Sequence, residues 1–456
     1  MIYCKEINEY IKFVEDNPNE TDDEIKLLIK NIVKPTLSRD DVFFDEETFK
    51  KAILYCEKWY YKLFPYQKFA YALFFMYDKN NLDIVIFPDI LILMARGNGK
   101  DGMIMPLANF LQTHYYGIKN YHIDIVATSE EQALNSFNVV YNMLEDNKET
   151  MRKYFYWNKT EVINKITHSI LRYNTANAKT KDGKQTGMII FNEYHAYEDY
   201  KQINVYSSGL GKIKHARTVT ITTNGQVREG PLDEKIALAN NVLNGEQNFL
   251  GLLPIIYKIR DKKTVDEPMK KFLETGQKED IDITAWVQAN PSLRFMPVLE
   301  NEIIKDYLKM QKQKSYRVEF YSKRMNLPQQ DNEETVVEWE LILKASYIDE
   351  EKEIERPTGE IKGRTAIVGI DFASLNDFAS AGFLFKRDGE YIWRQRTWIC
   401  SKNKFYNDIK FPFQNIGQDG FNDFEITNKE SIDAREMIIM AKTIESIISA
   451  IKICVA

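Results

Sequence analysis

Three short stretches carry residues whose types and spacing suit phosphate and metal chemistry. In the first, the apolar run Leu91-Ile92-Leu93-Met94-Ala95 leads into Arg96-Gly97-Asn98-Gly99-Lys100-Asp101. Glycines let backbone N–H groups close on phosphate oxygens, and a lysine ending such a loop reaches the β/γ-phosphates of a nucleotide. The helix that follows turns its N-terminal dipole toward the anion. The usual G-x-x-x-x-G-K-[ST] spacing would place its first glycine at Met94 and its magnesium-binding hydroxyl at Asp101, so both outer positions depart from it. A plain strand-to-helix turn needing glycine shares this composition. In the second stretch, Met188-Ile189-Ile190-Phe191 runs into Asn192-Glu193-Tyr194-His195, an apolar strand delivering polar side chains where open α/β sheets bind ligands. Glu193 is placed to polarise an attacking water. Asn192 stands where a magnesium-holding Asp is usual. The carboxylate gained at Asp101 offsets the one lost at Asn192, so Asp101 and Asn192 are read as the shell of a magnesium ion; the other role open to Asp101 is to favour the first helical turn. In the third, Asp371 interrupts the apolar run Ile367-Val368-Gly369-Ile370. A carboxylate buried among such neighbours is costly unless paired or bound to a cation, which makes Asp371 a candidate metal ligand.

Further residues fall into place around these. Arg96 and Lys100 share the loop and can spread the charge of a phosphoryl transition state. Tyr66-Gln67, just after Pro65, suits clamping a base by stacking and amide hydrogen bonds, though such a pair is also ordinary helix surface. Thr222-Thr223-Asn224-Gly225 ends a β-rich run; its hydroxyls can sense a γ-phosphate and couple hydrolysis to movement, and Asn-Gly is equally a turn signal. Lys179 to Lys184 and Lys212 to Arg217 are basic segments suited to tracking DNA or to a solvated face.

The elements that must position these groups follow from hydrophobic patterning. Residues 1–80 show helical periodicity, with Phe49, Ile53, Tyr55, Trp59 and Phe64 on apolar positions, and read as an N-terminal helical lid or brace. Residues 81–328 read as a nucleotide-binding α/β domain. Strands are predicted at Ile84–Phe87, Ile90–Ala95, Ile123–Ala127, Met188–Phe191 and Thr218–Thr223, forming a parallel sheet with crossover helices, followed by a mostly helical extension from residue 226. Residues 329–360 are acidic and close with Pro357-Thr358-Gly359, marking a linker. Residues 361–456 show three successive strands, Thr365–Phe372, Ala379–Phe385 and Tyr391–Trp398, then a helix near 429–445 and a last strand, Ala450–Val455. These strands resemble the opening meander of a ribonuclease-H-like fold, where carboxylates hold two divalent ions about 4 Å apart. In that plan a further acid follows the fourth strand; none follows Glu445 here, so the nuclease half is expected to be partial.

With 456 residues, 44% hydrophobic and 28% charged, the chain is long enough for two or three cored domains. A net charge of −6 excludes a global field for nucleic acid, so any DNA site is a local groove. Cys4, Cys56, Cys400 and Cys454 form no C-x-x-C pair, which argues against a zinc site and a disulfide framework and for a reduced, cytoplasmic setting. The N-terminus lacks the plan of a signal peptide, and nothing reads as spanning a membrane.

Taken together, the chain resembles the large terminase subunit of tailed double-stranded-DNA bacteriophages and prophages. The resemblance runs from about Tyr60 to the C-terminus. It is carried by Tyr66-Gln67, Ala95 to Lys100, Phe191 to His195, Thr222 to Gly225, Trp286 to Leu293, Lys323-Arg324-Met325-Asn326, Trp339 and Gly369 to Ser374. It implies a packaging ATPase that drives DNA into the capsid, followed by a DNA-cutting endonuclease. Arg96 and Lys100 would bind ATP phosphates, Glu193 would be the catalytic carboxylate, Thr222 to Gly225 would couple hydrolysis to DNA movement, and Asp371 would ligate the nuclease metal. The implied cofactors are ATP and Mg²⁺, with Mg²⁺ or Mn²⁺ at the nuclease site. The implied partners are double-stranded DNA, a small terminase subunit and the portal protein, with the chain in a homo-oligomeric ring in the host cytoplasm and transiently at the procapsid portal. The competing reading is a catalytically silent prophage remnant or portal-docking assembly protein.

Overall fold

The computed structural model describes residues 2–174, 185–225, 230–313, 315–327, 365–372, 378–387, 390–402, 424–428 and 450–455, together with residues 406, 432, 433 and 435. The predicted helix near 429–445, the acidic linker at 329–360, Trp339 and the basic segment Lys179 to Lys184 lie outside these residues, apart from the isolated positions 432, 433 and 435. Two compact units are present, Met1–Glu334 and Thr335–Ala456.

The first unit is built on one eight-stranded sheet. Its strands are β1 (Asp89–Leu93), β2 (Ile123–Val126), β3 (Phe155–Trp157), β4 (Glu161–Asn164), β5 (Ile170–Asn174), β6 (Met188–Asn192), β7 (Arg217–Thr222) and β8 (Leu252–Ile256). Their order across the sheet is β8-β1-β7-β6-β2-β5-β4-β3. Pairing is parallel from β8 through β5 and antiparallel in the β5-β4-β3 meander. Strands β2, β6 and β8 are buried along their whole length, as expected for parallel strands covered on both faces. The covering helices include α1 (Pro65–Phe74), α2 (Lys100–Leu111) and α3 (Glu130–Asp146). The N-terminal helices share one apolar core with the sheet through Ile7, Tyr10, Phe49, Phe69 and Phe75. A second core, around Trp286, Ile303, Tyr307 and Phe320, belongs to the helical extension that contains α4 (Pro297–Lys312) and also buries Ala95.

The first unit differs from the sequence-based expectation at three places. Ile84–Phe87 is not a strand; Val85 makes one isolated bridge to Tyr77 and the segment otherwise turns. Within the stretch expected to be helical, Leu252–Ile256 is a sheet strand, β8. Pro254 argues against a central strand, but β8 pairs only with β1, and an edge strand tolerates a missing donor. The short strands β3 to β5 lack a long apolar run, and β4 shows only the alternation of a half-buried ribbon.

The second unit holds a five-stranded sheet ordered β12-β11-β10-β9-β13, with β9 at Thr365–Asp371, β10 at Ala379–Arg387, β11 at Glu390–Cys400, β12 at Phe424–Thr427 and β13 at Ala450–Val455. The β9-β10-β11 meander is antiparallel, and β13 and β12 add in parallel at its two sides. The three successive strands and the last strand expected from the sequence are present, and β12 was not anticipated. Asp371 corrects the expectation of a buried acid. Along β9, Ala366 and Val368 are buried while Ile367 and Gly369 are exposed, and Asp371, on the same parity as the latter, is exposed too. The apolar run had suggested burial on both faces, but only one face of this strand is packed.

Candidate active site

The phosphate-loop candidate leaves the buried end of β1 and enters α2. Gly97 and Gly99 both have positive φ, +96° and +74°. That conformation suits glycine, and a Cβ on Gly97 would lie 2.7 Å from Leu299 Cδ1. Arg96, Gly97 and Gly99 face solvent, whereas Asn98 and Lys100 are buried.

The buried Asn98 side chain anchors the loop. Its Nδ2 donates to Ala95 O at 3.1 Å and Asn290 Oδ1 at 2.7 Å, and its Oδ1 accepts from Ser292 N at 3.0 Å. Tyr66 Oη donates to Asn98 O at 2.9 Å, and Gln67 uses Oε1 to cap the Phe64 N–H of its own helix at 2.9 Å. Tyr66 and Gln67, read from the sequence as a base clamp, are buried in the structure with their polar atoms on protein groups, and they hold the loop from beneath. The helical extension supplies the other side: Arg96 N donates to Lys323 O at 2.7 Å, Ala95 N to Ala289 O at 3.2 Å, and Arg324 Nη1 to Arg96 O at 3.0 Å. Asn290, Ser292, Lys323 and Arg324 had no role assigned from sequence beyond their place in the resemblance. Asn290→Leu would strand buried groups of Asn98 and the Arg324 carbonyl, a cost of about 1–3 kcal/mol for each unsatisfied group. A lower urea-unfolding midpoint and weaker nucleotide binding are the expected results, measured by denaturation and by titration.

Because β7 lies between β1 and β6, the loop, Glu193 and Thr222 emerge at one sheet edge. Glu193 sits immediately after β6 with φ 47° and ψ 52°, a left-handed backbone that costs a non-glycine residue about 1–3 kcal/mol and collects at functional sites. Its Oε2 lies 3.2 Å from His195 Nδ1 without hydrogen-bond geometry, so this buried oxygen has no hydrogen-bond partner among the described residues. Burial alone would raise the Glu193 carboxyl; His195, Lys100 and Arg96 outweigh it and hold the group below the ordinary carboxylate range. Lys100 is the reverse case. Burial pushes its ammonium below the usual lysine value against the pull of Glu193 and Asp101, and among the described residues its Nζ donates to Met94 O alone, at 3.3 Å.

Arg96, Asp101, Asn192, Glu193, His195 and Thr223 line one cavity of about 260 Å³ together with Gln132, Asn135 and Lys323. Burial raises the Asp101 carboxyl, and the Glu193 charge adds to the effect, while Ser136 and Lys100 oppose it. Thr222 Oγ1 accepts from His195 N at 3.0 Å, and Thr223 Oγ1 lies 3.4 Å from His195 Nδ1. Asn224 is bonded through N to Asn326 Oδ1 at 3.0 Å and through Nδ2 to Asn326 O at 3.1 Å. Gly225 packs so closely that a Cβ there would lie 2.6 Å from His195 Cβ. The structure thus brings Arg96 to Asp101, Asn192, Glu193 and Thr222 to Gly225 together. In the basic segment Lys212 to Arg217, Lys212 and Lys214 are exposed, but Arg217 is buried with its guanidinium 3.6 Å from the Phe74 ring centre. A larger cleft of about 370 Å³, lined by Leu54, Trp59, Tyr115 and Tyr154 among others, contains no carboxylate.

A family model for the terminase large subunit ATPase domain matches residues 65–241, and one for the terminase large subunit endonuclease domain matches residues 273–450. The chain belongs to the terminase large-subunit family. It is an ATPase and endonuclease of phage DNA packaging, working with nucleotide and divalent metal. In fold it is similar to the large terminase of bacteriophage HK97, with 17% identity, 90% of this chain and 80% of that chain covered, and a TM-score of 0.50. Weaker likenesses are to the large terminase of the thermophilic bacteriophage D6E, with 12% identity, 91% and 82% coverage and a TM-score of 0.32, and to the ATPase domain of the Thermus phage P74-26 large terminase, with 14% identity, 42% and 84% coverage and a TM-score of 0.28. No curated protein sequence matches the chain. Among the described residues no helix is long and apolar enough to cross a membrane.

Within this terminase subunit the ATPase model begins at α1, so Tyr66 and Gln67 fall inside it along with the loop, Glu193 and Thr222 to Gly225. Asp371 falls inside the endonuclease match, on the exposed face of β9.

Proposed function

We propose that the cavity at the β1-β7-β6 edge binds and hydrolyses ATP, with the loop amides of Gly97 to Lys100, the Lys100 ammonium and Arg96 on the phosphates. The observation that carries this is a strand-end crevice lined by Arg96, Asp101 and Glu193, with the buried Lys100 in the adjoining loop close enough to act electrostatically on Glu193. Glu193 polarises the attacking water. Thr222 to Gly225, touching Glu193's neighbour His195 on one side and Asn326 on the other, passes the state of the site to the helical extension.

The divalent ion is proposed to be Mg²⁺. The donor set fits a hard cation: a carboxylate at Asp101 beside the amide of Asn192, in a cavity where two carboxyl groups, Asp101 and Glu193, repel one another. Asp101 is its anionic ligand and Asn192 orients the shell; the ion would offset charge on the transferring phosphoryl group. Asp101→Ala is therefore expected to lower Mg²⁺-dependent ATP turnover by about 100-fold, equivalent to roughly 3 kcal/mol of lost transition-state stabilisation. Turnover unchanged across a Mg²⁺ titration would remove Asp101 from the metal site.

Asp371 is proposed as a ligand of Mg²⁺ or Mn²⁺ in the nuclease, where its exposed position lets an ion and a phosphodiester approach. The functional division proposed is a lid or brace at 1–80, the motor at 81–328, a linker at 329–360 and the nuclease from 361. The proposed setting is a homo-oligomeric ring on the capsid portal in the host cytoplasm, acting on double-stranded DNA with a small terminase subunit.

A further inference from the structure

Ser136 is the one polar side chain on the buried stripe of α3, among Ala133, Phe137, Val140, Met143 and Leu144. A hydroxyl at such a position needs partners, and here it has two from different elements. Its oxygen donates to Asp101 Oδ1, in the first turn of α2, and accepts from Asn192 Nδ2 at 2.6 Å, at the end of β6. Asn192 is held at both amide atoms: Nδ2 also donates to Gln132 O at 3.2 Å, and Oδ1 accepts the Glu193 N–H at 2.8 Å, with one lone pair remaining.

The direction of every bond in this chain is set by backbone groups at Asn192: the Glu193 N–H can only donate and the Gln132 carbonyl only accept, which fixes the amide's orientation. Ser136 therefore accepts from Asn192 Nδ2 and has its single proton left for Asp101 Oδ1. The amide of Asn192 thus turns NH₂ toward Ser136 and oxygen toward Glu193, the residue held in a left-handed backbone. The two departures from the usual loop and strand-end residues, Asp101 and Asn192, are thereby joined through one hydroxyl.

We propose that Ser136 is a positioning residue of the cation site, orienting the Asp101 carboxylate as a ligand and coupling that ligand, through Asn192, to the catalytic Glu193. This rests on the reading of the cavity as a Mg²⁺-nucleotide site. Ser136 is assigned no direct contact with nucleotide or ion; it acts by fixing which Asp101 oxygen faces the ion, since Oδ1 accepts from the hydroxyl. Residues in this position typically contribute 10- to 100-fold in metal affinity.

The test is a double-mutant cycle on the full chain, read by the free Mn²⁺ electron paramagnetic resonance signal in the presence of a non-hydrolysable ATP analogue, with thermal unfolding followed in parallel. Ser136→Ala is expected to weaken Mn²⁺ binding by about 10- to 100-fold. In an Asp101→Ala background the same substitution should change Mn²⁺ affinity little, because the ligand it positions is gone. Equal Mn²⁺ affinity in wild type and Ser136→Ala, or the same loss in both backgrounds, would overturn the role of Ser136 while leaving the cavity's assignment intact. Absence of Mn²⁺-analogue binding by the wild-type chain would overturn both.

Discussion

Glu193→Gln is expected to lower ATP turnover by roughly 10²- to 10⁴-fold, the range typical of removing a positioned base, while nucleotide affinity stays close to wild type. The substitution keeps the side chain's size and the left-handed backbone, and removes only the charge. That charge is the property the surroundings maintain: His195, Lys100 and Arg96 hold the carboxyl ionised despite its burial, with His195 Nδ1 3.2 Å from Oε2. A carboxylate in that state has lone pairs available for a water. The pH dependence follows from the direction of the shift. Because the folded-state value lies below the ordinary one, Glu193 remains ionised as pH falls through the ordinary Glu value of about 4.3, so it should not set the acid limb of turnover above that pH. Steady-state turnover and analogue titration on the pair of proteins check both parts. Equal turnover would assign the carboxylate a structural role.

Lys100→Met is expected to act in opposite directions on catalysis and on stability. With nucleotide, loss of the ammonium proposed to face the β/γ-phosphates should reduce turnover by roughly 10²-fold or more, as for other groups that meet developing charge in a water-poor site. Without nucleotide the variant should be as stable as wild type or more so. Lys100 is buried, its ammonium depressed by desolvation, and its hydrogen bond to Met94 O is long at 3.3 Å. Replacing a poorly compensated buried charge by an apolar chain of similar length is commonly neutral or stabilising. Chemical denaturation of the nucleotide-free proteins, set beside their turnover, measures the two effects separately. Matching losses in stability and turnover would mean that Lys100 is a packing residue.

The groups after Leu91 to Ala95 and Met188 to Phe191 were legible in the sequence because each follows an unbroken apolar run that announces a buried strand, and the polar residues just past them have only the crevice to face. The strand ending at Thr222 was legible instead from its β-branched residues, Thr218, Val219, Thr220 and Ile221. The groups that hold the loop were not legible as such. Asn290, Ser292 and Arg324 lie roughly two hundred residues from it in sequence, and an Asn among apolar neighbours gives no sign of what it will meet. Ser136 did leave a trace, a hydroxyl on the apolar stripe of an amphipathic helix, though not one that names Asp101 or Asn192 as partners. β8 was hidden by Pro254, whose presence is explained only by an edge position that depends on the whole sheet. Asp371 misled in the other direction. An apolar run with one acid suggests two-sided burial, but alternation along β9 leaves one face open, and whether that face is covered is a property of the sheet's neighbours.

The most direct measurement is a crystal structure of the chain with Mg²⁺ and a non-hydrolysable ATP analogue. The predicted result is the γ-phosphate within about 3 Å of Lys100 Nζ, the loop amides of Gly97 to Lys100 on the phosphates, and the Glu193 carboxylate facing the terminal phosphate across a water. An analogue bound elsewhere with the loop unchanged, or a γ-phosphate turned away from Glu193, would contradict the assignment of this crevice as the motor's hydrolytic site.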